Sequence, residues 1–498
     1  MIDGPSNSSS TTEKSVQTPR ELTQRGLRTS SEHIPPRQQL TDGCTIDQMT
    51  INTLPDDALL EIFFHCLDNT VNVDWWHPLV HACRRWRAIV FASPRRLDLQ
   101  IRYTEKTHVR EMLNIWPTLP IVISARGGLV KDVDNIVAAL EYHDRIRRIA
   151  LRGVSNLLLE GFSAALQEPL PALTSLMLWS NGESTQVVPD SFLGGSSPRL
   201  QTLWLDFISF PGLPKLLLSA NHLVLLHLWN IPDSGYISPQ VMVACLATMT
   251  GLESFALGFH SPRSRPNQQS RPLPLSTPII LPALAVLKFK GVSEYLEDLL
   301  AWINVPILCS VRITFFNQLI FSTSQLPRLI HHTKQLKNLK RAVIVLYDHF
   351  IEIKISRKSY NDADRINLRI SCTGSDWQLA SLTQVCNSIF PPLSSLRILD
   401  DLHHQPLWQD MENTQWLEFL RQFATVKELY LSEQLTLRVG TALQELTSEK
   451  ATNVLPRLQV LFLAAQNWEQ SRPVWDAFKQ FTGASCRMKR TTDGTHHR

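Results

Sequence analysis

The chain has 498 residues, of which 43% are hydrophobic and 19% charged, with a formal net charge of +4. This length exceeds one simple domain and can bury a sizeable core, and so small a net charge gives no reason to expect nucleic acid as a partner. None of the eight cysteines forms a C-x-x-C pair, which argues against a zinc ribbon or a redox motif. We therefore expect no metal, no cofactor and a reducing compartment, cytoplasmic or nuclear.

The first 45 residues are rich in Ser, Thr, Pro and Gln and hold few apolar residues. Such a segment cannot bury enough surface to offset the entropy lost on ordering, so 1–45 is predicted to be a disordered N-terminal tail. The N-terminus has no apolar leader run, and the uncharged stretches farther along are interrupted by polar and turn-forming residues. Neither a signal peptide nor a membrane partner is expected.

The sequence pattern of residues 50–98 predicts two helices. Pro55 suits the first position of a helix, two aspartates follow in the first turn, and apolar residues fill most of 59–67. A second helix is predicted between Pro78 and Pro94, with its apolar and arginine residues at helical spacing. The segment is too short to hold a large core of its own. Its apolar faces must therefore be covered, by a second protein or by the rest of this chain.

The order of residues in this segment, LPDDALLEIFFHCL followed by HPLVHACRRWRAIVFASP, resembles an F-box of the fungal type. The resemblance implies docking to a Skp-type adaptor and, through it, to a cullin–RING ubiquitin ligase. The residues that match adaptor-facing positions are Leu54, Pro55, Leu59, Ile62, Leu67 and Leu79. The residues that match the core of an F-box are Cys83, Trp86 and Ile89. The stretch 68–77 is longer and more aromatic than the usual link between the helices.

Beyond residue 99, a pattern of apolar-x-x-apolar-x-apolar recurs every 23 to 33 residues, apart from one gap of 85 residues. The units begin at Ile146, Leu173, Leu200, Leu223, Leu252, Leu284, Leu308, Leu393, Val426 and Leu458. Weaker units are predicted inside the gap at 343–346 and 366–370, and ahead of the array at 97–101 and 119–123. Such a period is typical of a leucine-rich-repeat-like solenoid, because stacked strands share a core that none could bury alone.

The predicted fold class is therefore α/β, with a small helical F-box at 50–98 and an irregular leucine-rich-repeat-like solenoid at 99–465. This pairing of modules resembles a familiar architecture over most of the chain. Asn181 occupies the asparagine position usual in such repeats, which most other units lack. An ordinary α/β domain is the alternative. Residues 466–498 are predicted to form a C-terminal helix followed by a loose basic tail.

Side chains alternate between the two faces of a strand, so the residue between the last two apolar positions of a unit points to the open face of the sheet. Three successive units bring Trp179, Trp204 and Trp229 to this face, where they are predicted to form one aromatic patch. The basic patch predicted beside it consists of Lys288, Lys290 and Arg312. We predict a binding surface for an acidic, partly apolar segment of a substrate, unless a neighbouring loop or helix covers the rings.

Sequence motifs of hydrolases, metalloproteases and phosphate-binding loops are absent, and adjacent histidines such as His331 and His332 diverge too far to hold a metal together. We predict a non-enzymatic protein, the substrate-receptor subunit of a Skp–cullin–F-box type ubiquitin ligase with an unidentified protein substrate. A protein-interaction scaffold that acts outside any ligase is the main alternative. A catalytic site assembled from distant residues and a nucleic-acid-binding role are further alternatives.

Overall fold

A computed structural model describes residues 51–67, 74–104, 109–124, 133–180, 182, 186–262, 278–316, 321, 324–347, 349–357, 365–371, 382–387, 392–400, 412–444, 454–464, 472–482 and 486–491. The predicted tail at 1–45 and the predicted repeat asparagine, Asn181, lie outside these residues. The chain divides into two compact units, 1–59 and 60–498. The division falls inside the first helix.

The described part of the first unit is a short 3-10 turn, Ile51–Thr53, and the beginning of helix α1, which spans Asp56–Leu67. As predicted, the two aspartates lie in the first turn, where carboxylates interact favourably with the positive end of the helix dipole. The amide of Leu59 donates to the carbonyl of Pro55 at 3.1 Å, so Pro55 immediately precedes the helix.

The second unit continues with two further helices, α2 (His77–Ala82) and α3 (Arg84–Ala92). The prediction of one continuous helix here is wrong, because the backbone of Cys83 is extended, with φ −158° and ψ 168°. The Cys83 Sγ accepts a hydrogen bond from the Trp86 amide at 3.4 Å. Cys83 therefore caps α3, and its exposed thiol is not the core residue that the F-box resemblance implied.

The unusually aromatic link ahead of α2 has a structural role within the second unit. Trp76 is fully buried, and its Nε1 donates to the carbonyl of Gln100 at 3.0 Å. The rings of Trp116 and Phe91 lie edge-on to it, with centroids 5.1 Å and 5.9 Å away. This cluster attaches the helical segment to the start of the first strand, which explains why the link needs a large aromatic residue.

Twenty strands follow in the described ranges. In chain order they are β1 (Ile101–Tyr103), β2 (Ile121–Ser124), β3 (Ile146–Val154), β4 (Ser175–Ser180), β5 (Gln186–Val187), β6 (Thr202–Asp206), β7 (Ile208–Ser209), β8 (Leu225–Ile231), β9 (Ser254–Phe259), β10 (Ile279–Ile280), β11 (Val286–Gly291), β12 (Ile303–Asn304), β13 (Ser310–Phe315), β14 (Arg341–Leu346), β15 (Phe350–Ser356), β16 (Ile366–Ser371), β17 (Ser395–Asp400), β18 (Glu428–Leu431), β19 (Val460–Ala464) and β20 (Arg487–Thr491). Sixteen of them form one large sheet.

The large sheet has the order β1-β2-β3-β4-β6-β8-β9-β11-β13-β16-β15-β14-β17-β18-β19-β20. From β1 to β13 every neighbouring pair is parallel, and so is every pair from β17 to β20. Each of the ten predicted units coincides with a strand of this sheet, and the mixed α/β class is confirmed. The short strands β5 with β7, and β10 with β12, pair separately.

The 85-residue gap contains a reversed three-stranded meander. The two weak units predicted there are β14 and β16, and between them lies β15, which the periodicity missed. Strand β15 is antiparallel to both neighbours. The last strand of the meander, β16, pairs in parallel with β13, whereas the first, β14, pairs in parallel with β17. After β13 the chain therefore skips two strand positions, places β14 in the third and then fills the two skipped positions in reverse order.

Helices accompany the strands. The remaining helices are α4 (Val109–Ile115), α5 (Val133–Leu140), α6 (Asn156–Ser163), α7 (Leu213–Ser219), α8 (Pro239–Leu246), α9 (Ser293–Leu300), α10 (Gln325–His332), α11 (382–387), α12 (Asn413–Arg421), α13 (Glu433–Gln444) and α14 (Arg472–Thr482). They cover one side of the sheet: Tyr295 of α9 is fully buried against Phe259 and Phe289. Across the described ranges, every helix is too short or too polar to cross a membrane.

The C-terminus extends the array farther than predicted. The expected helix is present as α14, but the expected loose tail contains β20, which pairs in parallel with β19. Lys489 Nζ lies 5.2 Å from the Phe462 ring centroid, and Arg490 Cζ lies 4.8 Å from that of Trp475. Cation–π contacts of this kind let basic residues form the last strand of a sheet. Among the described residues the strand ladder therefore extends to 491, beyond the predicted limit of 465.

Candidate binding surface on the open face of the sheet

From β3 to β20, one residue of each strand of the large sheet contributes to a continuous row across its open face. Cross-strand register defines this central row as Ala150, Met177, Trp204, His227, Ala256, Lys288, Arg312, Asn367, Lys354, Val343, Arg397, Tyr430, Phe462 and Lys489. The alternation of strand side chains predicted the row correctly, including its members in the parallel units. The row is aromatic in its first part and cationic in its middle.

The three predicted tryptophans come together through a histidine. The ring centroids of Trp179 and Trp204 are 5.5 Å apart, and His227 stacks on Trp204 at 3.7 Å with an interplanar angle of 17°. Trp229 follows at 5.5 Å from His227. All three tryptophans are half-buried. These four rings form one connected surface, the aromatic stack. The guanidinium of Arg152 lies 5.1 Å from the Trp179 ring centroid, at one end of the stack.

The histidine at the centre of the stack is held neutral. Burial against the indole rings lowers the pKa of His227 to about 4, and the charge of Lys288 acts in the same direction. A neutral imidazole can lie flat on Trp204 without a buried charge to compensate. The aromatic stack is therefore an apolar surface at neutral pH.

A glycine makes room for the last ring of the stack. Gly258 lies on β9, and a Cβ atom at that position would be 2.7 Å from Trp229 Cε3. The Trp229 ring therefore lies directly over the backbone of β9, in space that any other residue would fill. Gly258 is a positioning residue for Trp229 that the sequence analysis did not identify. A glycine inside a strand is a signal for such a close approach.

A polar network borders the stack on the same face. Asn230, in the left-handed region with φ 48°, donates from Nδ2 to Asp206 Oδ1 at 2.9 Å. Lys290 Nζ donates to Asn230 Oδ1 at 2.7 Å. Burial raises the pKa of Asp206 and lowers that of Lys290, and the opposite charge of the other residue partly offsets each shift. Lys290 was predicted to be part of a basic binding patch, but it is bonded within this network.

Two neighbouring cations of the central row are differently placed. Lys288 and Arg312 are register partners on β11 and β13. Burial lowers the pKa of Lys288, and the charge of Arg312 lowers it further. Among the described residues neither side chain contacts a carboxylate. Lys288 is half-buried and Arg312 is exposed. Of the predicted basic patch, these two residues form an open cation pair.

A single glutamate pairs with the next cations along the face. Glu352 on β15, with its side chain 7% exposed, lies 2.9 Å from Lys354 Nζ and 3.3 Å from Arg369 Nη2. It also accepts from Asn367 Nδ2 at 3.0 Å. Burial raises the pKa of Glu352, but these hydrogen bonds and charges outweigh it, so the pKa lies below its usual value. This cluster was not predicted from the sequence, because strand β15 was not predicted.

The residues assigned to the adaptor by resemblance differ in their exposure. Leu59 is completely buried, so its assignment to an adaptor-facing position is wrong. Ile62 is 40% exposed and Pro55 is exposed, while Leu54 and Leu79 are partly exposed. The side chain of Leu67 lies outside the described residues.

Two of the residues assigned to the F-box core pack within the second unit. Ile89 is buried, and half-buried Trp86 packs edge-on against Phe63 with ring centroids 5.0 Å apart. Cys83, corrected above, is the exception. Within the ranges that the structure covers, no cluster of three or more His, Cys, Asp or Glu residues could hold a metal ion.

Comparison with known proteins finds no protein-family model and no curated protein that matches this sequence. One solved structure to which the chain is similar is the leucine-rich repeat-containing protein LegL7 from Legionella pneumophila. The two are 13% identical, and the match covers 77% of this chain and 98% of that one, with a TM-score of 0.25.

Proposed function

We propose that this protein is the substrate-receptor subunit of a Skp–cullin–F-box type ubiquitin ligase. The N-terminal helices would dock to the adaptor, and the open face of the sheet would bind the target. The observation that carries the proposal is on helix α1, where Ile62 and Phe64 are 40% and 37% exposed. Exposed apolar side chains of this size, in a segment whose residue order resembles an F-box, favour a protein partner.

The open face supports the second half of the proposal. A row that combines stacked aromatic rings with a cation pair that contacts no carboxylate in the described part of the chain has the composition of a binding hot spot. In such an assembly this chain would supply no nucleophile. It would hold the target close to the ubiquitin-loaded enzyme, and the gain in rate would come from proximity.

Capture by a purified Skp-type adaptor tests the proposal. We expect Ile62→Glu to weaken capture by about tenfold or more, because it would place a charge in an apolar interface. The matched control is Ile115→Glu on helix α4, where the native side chain is 69% exposed and lies outside the proposed interface. Equal capture of wild type and Ile62→Glu, with both folded by circular dichroism, would rule out this docking site.

The assembly itself is tested by affinity purification from cells. The proposal expects cullin to co-purify with wild type and to be lost with Ile62→Glu. Recovery of adaptor without cullin would instead favour a scaffold that acts outside a ligase.

A further inference from the structure

The open cation pair contacts no carboxylate among the described residues. Two carboxylates on the same face are engaged elsewhere, Asp206 by Asn230 and Glu352 by Lys354 and Arg369. Lys288 and Arg312 therefore bring two like charges side by side without an anion among the described residues. Like charges on neighbouring strands destabilise a sheet unless something neutralises them. The arrangement is complementary to a ligand that carries negative charge.

The apolar part of the surface lies at a defined distance from this pair. In the central row, Trp204 and Lys288 are separated by His227 and Ala256, which makes three steps between strands. At about 4.8 Å per step, the separation is roughly 14 Å. An extended peptide rises about 3.3 Å per residue, so four residues span that distance. His227 and Ala256, which lie between them, are 9% and 1% exposed, so a bound peptide would pass over the side chains that cover these two positions.

We infer that the open face binds an acidic peptide segment. An aromatic or large apolar residue of the peptide packs on the aromatic stack, and a pair of carboxylates about four residues before or after it binds Lys288 and Arg312. The inference rests on the proposed function and specifies the class of target. The occupant is a segment of a protein partner that crosses the strands.

The geometry of the stack favours a peptide over a single-stranded nucleic acid. Nucleobases bind by inserting between or stacking on free aromatic faces. The facing sides of Trp204 and His227 already cover each other at 3.7 Å, so that pair offers no free gap for a base. A peptide needs only the apolar surface of the stack and the two cations.

Fluorescence anisotropy with synthetic peptides tests the inference on the full-length protein. The probe contains Trp, three alanines and then Glu-Glu; one comparison peptide carries Lys-Lys in place of Glu-Glu, and another has a single alanine as spacer. We expect the probe to bind about tenfold more tightly than either comparison peptide. Equal binding of all three would overturn the inference.

Charge reversal tests the residues. Lys288→Glu with Arg312→Glu should weaken binding of the acidic probe by about tenfold or more and strengthen binding of the Lys-Lys peptide. The matched control, Lys334→Glu with Lys337→Glu, changes the net charge equally at exposed positions between α10 and β14. It should change binding less than about twofold, because screening limits charges that lie beyond a Debye length. Equal losses in both double variants would overturn the inference, since the effect would then be one of net charge.

A uridine oligonucleotide at the same salt concentration is the third arm. Tighter binding of the oligonucleotide than of the acidic peptide would overturn the inference in favour of nucleic acid. Adaptor capture by the Lys288/Arg312 double variant separates this result from the proposed function. If this variant loses peptide binding but is still captured by the adaptor, the sheet face binds the target and not the adaptor. If the protein binds the acidic peptide but is not captured by the adaptor, the inference holds and the proposed ligase function fails.

Discussion

Two neighbouring parts of the open face use the same residue types for different purposes. On β11 and β13, Lys288 and Arg312 have no carboxylate within reach among the described residues. On β15 and β16, Lys354 and Arg369 share the buried carboxylate of Glu352. The first part is parallel and follows the repeat, and the second is antiparallel and inserted. Lysine and arginine on an open sheet face therefore indicate a binding site only where the fold leaves them without a carboxylate.

Removing the shared carboxylate should have the largest effect on stability. Glu352→Ala would leave Lys354, Arg369 and Asn367 without their acceptor at a buried position. We expect a loss of about 3 kcal/mol in the free energy of unfolding, toward the lower end for a broken buried pair because both cations are partly solvated. Urea unfolding monitored by tryptophan fluorescence measures it. A loss below about 1 kcal/mol would mean that water replaces the carboxylate without penalty.

Acidification should have the second-largest effect on stability, because it protonates His227 in the aromatic stack. The pKa of His227 is lowered to about 4 in the folded protein, against 6.5 when unfolded. The unfolded chain therefore binds the proton first, and stability is complete above pH 6.5 and falls as the pH decreases toward 4. We expect a loss of about 2 kcal/mol from this residue between pH 6.5 and 5. His227→Phe should remove that part of the pH dependence, and an unchanged profile in unfolding experiments would contradict the assignment.

A methyl group at Gly258 should disturb the stack at smaller cost. In Gly258→Ala the new Cβ would lie 2.7 Å from the Trp229 ring, so the indole must move. We expect a loss of about 1–2 kcal/mol and a change in the tryptophan emission spectrum. Gly251→Ala is the matched control, because a Cβ there meets nothing within 4 Å. Equal spectra for the two variants would show that Trp229 does not depend on Gly258.

The smallest effect should be at the open cation pair. Lys288→Met removes a charge that has no partner in the described structure and keeps the length of the side chain. We expect the free energy of unfolding to stay within about 0.5 kcal/mol of wild type or to rise slightly, since repulsion from Arg312 is relieved. A loss comparable to that of Glu352→Ala, measured in the same urea titration, would mean that Lys288 has a structural partner after all.

The contrast between the two regions also shows what a single sequence can predict. The ten parallel units were predicted because each repeats an apolar pattern whose alternate residues, such as Leu203 and Leu205, are buried against the helices. Strand β15 shows a different signal, since Ile351, Ile353 and Ile355 alternate directly after β14 with a short turn between. That pattern is typical of a hairpin. The reversed order of the meander could not be predicted, because periodicity does not say which strand a new strand will pair with.

The site was predicted in the same uneven way. Alternation brought Trp179, Trp204 and Trp229 to one face correctly, because it depends only on local geometry. Lys290 was misassigned, since its partner Asn230 lies 60 residues away. Leu59 and Cys83 were misassigned because a family resemblance fixes residue order but not how this particular chain buries each side chain.

The reversed meander also affects how the chain can assemble as it leaves the ribosome. Up to β13, each new strand of the large sheet has its predecessor as a partner, so order can propagate from one end with only local loop closure. Strand β13 then has to wait until residue 370 has been synthesised, because its next neighbour is β16. During that interval its edge has unpaired backbone groups and can join strands of other chains. Protection by a chaperone would therefore matter most while residues 316 to 371 are being made.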